Sequence, residues 1–180
     1  MFQVDLAPWA PVKTEHLIGV AATAAALILL LWLGDPGWTG IVDDANLAFH
    51  EAGHMFYGWF GQTAALYGGV LGQLTFPLVA AGIFFVRRQP HAVAIALMWG
   101  CQNLWNIARY MADARAQELP LVGGGEHDFA NIFTRWGVMH ADTTIAAWTR
   151  TLGWLGMAAL VGWIAWRWRH DQAQPAPQSM

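Results

Sequence analysis

Two histidines four residues apart, with a glutamate directly after the first, stand in a mostly apolar stretch from Ile41 to Phe60: His50-Glu51-Ala52-Gly53-His54. Residues four apart share one face of a helix. His50 and His54 can therefore aim two imidazoles at one metal ion. Glu51 sits beside that metal, where a carboxylate can take a proton from bound water. A hydrolytic zinc site wants three protein ligands and a position left open for water. The third ligand must come from elsewhere in the chain. His127 and Asp128 follow Gly123-Gly124-Gly125, a run that lets the backbone turn back towards the metal, and one of these two is the expected ligand. Asp113 is the alternative, and His140 and Asp142 are further candidates. Plainer roles compete. Asp128 also suits the cap of a short helix through Trp136, and Asp113 suits a pair with Arg109 or Arg115.

The motif belongs to a polar stripe. Asp43, Asn46, His50, His54 and Tyr57 recur at spacings of three and four, opposite an apolar side of Ala45, Ala48, Phe49, Ala52, Met55, Phe56 and Trp59. An ionised carboxylate at mid-membrane costs about 2.5–3.5 kcal/mol, so such a stripe must face partners inside the protein. A second stripe, Gln102, Asn106, Arg109 and Asp113, offers a facing surface, with Asn103 and Tyr110 beside it. Gln102, Asn103 and Asn106 are expected either to orient the metal-bound imidazoles or to hold helices together. His16, His91 and His170 fall at the ends of apolar runs and read as interfacial.

The elements that must position these groups are helical and apolar. The chain of 180 residues is 56% hydrophobic and 12% charged, where a soluble domain carries about 25% charged residues. Its 12 tryptophans suit a membrane–water boundary. The formal net charge of −3 argues against nucleic acid as a partner. Cys101 is the single cysteine, which rules out an internal disulfide and a cysteine metal cluster. Apolar segments run over 16–33, 41–60, 64–86, 92–108 and 143–166. The first reads as a retained span rather than a signal peptide, because no basic region precedes it and no small-residue cleavage site follows. Asp43 or Asp44 is expected to cap the second helix. Gly68 and Gly72 form a small-x-x-x-small pair that lets another helix approach, and Pro77 should bend that span. Arg87-Arg88 and Arg167/Arg169 place the ends of the third and fifth spans on the cytoplasmic side. Five crossings follow if the 41–60 helix spans; if it is re-entrant, the N-terminus lies inside.

The helical His-Glu-Ala-Gly-His in a polytopic chain resembles the membrane-embedded zinc metallopeptidases of the broad site-2-protease type. Gly68-Gly69-Val70-Leu71-Gly72-Gln73 is similar to the small-residue motif that family carries after its zinc helix. The resemblance covers roughly residues 41 to 113. The family takes its third ligand from an Asp in an Asn-Pro-Asp-Gly or Leu-Asp-Gly context, and this chain has neither; Asp113 has a comparable order in the chain without the motif. Gly-Gly-Gly-Glu-His-Asp is similar to a feature of small bacterial membrane proteins with H-E-x-x-H.

The expectation is an all-α fold, a polytopic helical membrane bundle of about five helices. Residues 1–170 form one transmembrane domain and 171–180 a disordered tail. The resemblance implies a zinc-dependent hydrolase, a peptidase in a bacterial inner membrane, with the lipid bilayer and a membrane protein or peptide as its partners. A non-catalytic metal-handling membrane protein is the alternative. A haem-binding bundle fits less well, because histidines four apart on one helix are badly placed to ligate both haem faces.

Overall fold

The computed structural model describes residues 8–34, 37–122 and 126–173. Among the described residues there are six α-helices: α1 (Thr14–Leu33), α2 (Ile41–Gly58), α3 (Gln62–Val86), α4 (Pro90–Ala112), α5 (Asp128–Trp136) and α6 (Asp142–Gln172). A 3-10 turn over Met139–Ala141 precedes α6, and no strand occurs among the described residues. Long apolar runs without alternation leave the backbone no sheet to join, so it satisfies itself within helices. Pro90 opens α4, where its missing N–H is no loss. Gly137 closes α5 in the left-handed region at φ 70°.

Helix α2 packs chiefly on α3, and α4 chiefly on α6. The first contact depends on glycines. A Cβ on Gly53 would lie 2.8 Å from the Gly72 Cα, and one on Gly68 would lie 2.8 Å from the His54 Cα. The small-residue pair of α3 therefore receives the His-Glu-Ala-Gly-His segment itself. The second contact is similar: Gly153 of α6 leaves room for the Trp105 ring, and Gly156 leaves room for the Cys101 thiol. Helix α1 lies against α4 and α6, through Val20, Ala24 and Leu27 packed among Ala94, Met98, Met157 and Ile164. A second core gathers Ile107, Ala114, Phe129, Ile132 and Phe133, and seats α5.

Three local expectations are corrected. Helix α2 begins at Ile41 with Gly40 as its cap residue, so neither Asp43 nor Asp44 is the cap. Asp43 lies in the first turn and accepts instead from the Thr39 hydroxyl at 2.7 Å. The cap of α5 is His127, whose ring accepts from the Ala130 N–H, and not Asp128. Helix α6 continues past the expected boundary at 170. Asp171 lies within it, accepts from the Val12 N–H at 2.8 Å and ties the N-terminal segment to the helix end. Residues 174–180 of the expected tail lie outside the described residues.

Helices α1 and α3 are long and apolar enough to cross a membrane. Only Val20, Ala24 and Leu27 of α1 are buried; Ile18, Leu29, Trp32 and Leu33 are exposed.

Candidate metal centre

Asp43, Asn46 and His50 of α2 are buried on one face, as the stripe requires. Its first turns are locked to α4. The Asp43 carboxylate accepts from Asn46 at 3.0 Å and from Gln102 at 2.6 Å, as well as from Thr39. Asn46 donates to Gln102 at 2.7 Å and accepts from the Trp99 indole at 2.8 Å. The buried carboxylate has donors on both oxygens and needs no counter-ion. This network fixes the rotation of α2, and the rotation aims His50 and His54.

Each imidazole is then oriented by its Nδ1. His50 Nδ1 stands 3.1 Å from the Gln73 amide oxygen, and His54 Nδ1 stands 2.8 Å from the Ala65 carbonyl oxygen. Both oxygens only accept, so both rings carry their proton on Nδ1 in the neutral state. Gly69 completes the seating of His50, since a Cβ there would fall on its ring.

The two Nε2 atoms consequently present lone pairs to one point. They lie 3.1 Å apart, and Asp128 Oδ2 lies 2.8 Å from His50 Nε2 and 3.0 Å from His54 Nε2. With both rings neutral, three acceptors meet with no hydrogen-bond donor among them, an arrangement that a bound cation would satisfy. Ligand atoms of a tetrahedral zinc with bonds of about 2.05 Å stand roughly 3.3 Å apart. The triangle is a few tenths of an ångström tighter than that and has the right shape. His50, His54 and Asp128 can hold a metal ion.

Asp128 reaches this position because α5 starts beside α4. Its N–H donates to the Tyr110 hydroxyl at 3.1 Å, and its own side chain is released from capping by His127. His127, the other expected ligand, points elsewhere. Its Nδ1 accepts from Ala130, which puts the proton on Nε2, and Nε2 faces Asp113 at 3.3 Å. Burial pushes the ring below the usual imidazole range, against the pull of Asp113. Asp113 is likewise occupied: it accepts from the N–H groups of Glu118 and Leu119 and pairs with neither Arg109 nor Arg115. Arg115 pairs with the buried Asp142 at 2.7 Å, and His140 is exposed on its short turn.

The amides of α4 divide. Asn106 accepts from Gln73 at 2.9 Å and so stands one bond behind His50. Gln102 belongs to the Asp43 network, and Asn103 donates to the Trp99 carbonyl within its own helix. The groups that hydrogen-bond the two Nδ1 atoms are Gln73 and the Ala65 carbonyl. The sequence signal for Gln73 was a lone amide in an apolar span, one residue after Gly72. Nothing marked Ala65, because any backbone carbonyl has the same chemistry.

The triangle opens on a cavity of about 850 Å³. Glu51 lines it beside His50 and His54, and makes no hydrogen bond or ion pair among the described residues. Leu47, Leu66, Leu119 and Leu121 give the cavity an apolar side. No protein-family model, no curated protein and no solved structure matches the chain.

Proposed function

We propose that the chain is a zinc-dependent hydrolase embedded in a membrane, a metallopeptidase of the broad site-2-protease type that cleaves peptide bonds within or near the bilayer. The observation that carries this is the meeting of three lone-pair donors, His50 Nε2, His54 Nε2 and Asp128 Oδ2, at the wall of a cavity that also holds an unengaged Glu51. Two imidazoles and a carboxylate are a hydrolytic zinc set, and the adjoining cavity would leave room for water at such an ion. Asp128 takes the place of the family's missing Asp motif. A zinc held by His50, His54 and Asp128 would supply the Lewis acidity that activates water near neutral pH and polarises a carbonyl. Glu51, on the wall of the same cavity, would serve as the base that takes a proton from the attacking water and gives it to the leaving amine. Gln73 and the Ala65 carbonyl keep both rings in the ligating tautomer.

A metal-handling protein would favour a closed four-ligand site. Three groups and an open side support the catalytic reading instead. The membrane setting is supported by the two spanning-length helices and by the large apolar side chains that α1, α3 and α6 turn outwards, among them Trp32, Phe85 and Trp148. The proposal counts α1, α2, α3, α4 and α6 as the bundle, with α5 as the element that brings Asp128 back to it.

Glu51→Gln in the purified full chain tests the mechanism. Zinc content should stay at the wild-type level while hydrolysis of an apolar peptide is lost. Retained hydrolysis removes Glu51 from the chemistry.

A further inference from the structure

Arg109 is the one Arg or Lys side chain lining the cavity among the described residues. It lies in the last turn of α4, where a cation complements the helix dipole. That role needs only a charge near the terminal carbonyls. The side chain is held in a more specific posture. Its guanidinium lies 5.5 Å from the centre of the Trp38 ring. Its stem packs on Gly37, where a Cβ would sit 3.1 Å from the Arg109 Cδ. Gly37 has φ +82°, so the backbone there favours glycine and the space for the stem is built in.

The carboxylates around Arg109 are engaged elsewhere or stand off. Asp128 is spent on the two histidines, and Glu126 accepts from Asn131 at 2.9 Å. Asp113 serves Glu118, Leu119 and His127. Glu51 makes no ion pair among the described residues. A half-buried guanidinium, stacked on an indole and without an anionic partner, faces the same space as the metal triangle. Five N–H donors in a rigid fork match a carboxylate bidentately. A phosphate dianion is less suited, because the cavity offers one arginine and places Glu51 and Glu126 beside it.

We infer that Arg109 is the specificity-determining residue of this cavity and that it selects apolar substrates carrying a carboxylate, such as a peptide end or an acidic side chain. The apolar part lies along Leu47, Leu66 and Leu121, and the carboxylate on the guanidinium. The inference rests on the metallopeptidase reading for the word substrate, but the anion site stands on its own geometry.

The test measures binding without zinc, so that the metal cannot hold the carboxylate. Full chain in detergent, stripped with a chelator, is titrated calorimetrically with N-dodecanoyl-leucine, with its amide and with dodecyl phosphate. The acid should bind roughly tenfold or more tightly than the amide, as a charge-assisted pair at a shielded site allows. Arg109→Gln should bring acid and amide to equal affinity, and Arg109→Lys should keep part of the preference. Equal binding of acid and amide by the wild type, or a preference that survives Arg109→Gln, overturns the inference. Tighter binding of dodecyl phosphate overturns the choice of carboxylate. Zinc titration of the same samples reports on the metal centre separately: a wild type that takes no zinc defeats the metallopeptidase reading and leaves the acid preference to be judged by itself.

Discussion

Spacing carried the site furthest at the level of single residues. His50 and His54 are four apart, and a helix of any register puts them on one face. Asp128 was one of two neighbours offered as third ligand. Capping separates them: His127 takes the Ala130 N–H, and the Asp128 carboxylate lies 2.8 Å from His50 and 3.0 Å from His54. No rule of sequence could rank them, since both residue types cap helices and bind metal. The orienting role of Gln73 is not legible in the sequence, because its contact with His50 depends on how α2 and α3 register, 23 positions apart. Its importance can be measured. Gln73→Leu removes the acceptor that fixes His50 in the ligating tautomer. Zinc affinity, read by competition with a chromophoric chelator, should fall about 10–100-fold with the fold retained. An unchanged affinity would make Gln73 a packing residue only.

The helices and most of their ends could be read from apolar runs, glycines and prolines. Cap identities could not, because Thr39, Gly40, Asp43 and Asp44 all satisfy cap statistics and tertiary bonds to Gln102 decide among them. The glycine pair of α3 was legible as a contact surface, but its partner, Gly53 inside the metal motif, was not. Gly53→Val places methyl groups against the Gly68 carbonyl and the Gly72 backbone. It should destabilise the protein by about 1–3 kcal/mol, measured by chemical unfolding, and weaken zinc binding with it, because both rings ride on that helix. Arg115 and Asp142 join the connection after α4 to the start of α6. The Arg115 guanidinium donates to Asp142 and holds its carboxyl below the usual carboxylate range. A depressed folded pKa contributes stability above the unfolded value and loses it as pH falls through the folded one. The Tm advantage of wild type over Arg115→Gln should therefore be present at neutral pH and close only in acid below roughly pH 3.9. An advantage that persists unchanged into strong acid would mean packing rather than charge.

Across the whole molecule, an all-helical fold was legible and the arrangement of the helices was not. Nothing local says that α1 lies against α6, or that α5 folds back on α3. Those neighbours follow from which apolar faces remain after α2 meets α3 and α4 meets α6. The consequence is functional. The short amphipathic α5, with Phe129, Ile132 and Phe133 buried, is what carries Asp128 to the histidines across 74 positions of chain. The proposed chemistry depends on that convergence. Zinc X-ray absorption on the purified full chain tests it most directly, alongside Asp128→Ala. One zinc per chain is expected, with two imidazole nitrogens and carboxylate or water oxygens at about 2.0–2.2 Å, and the zinc should be lost in Asp128→Ala. A wild type without zinc, or a zinc shell unchanged in Asp128→Ala, would contradict it.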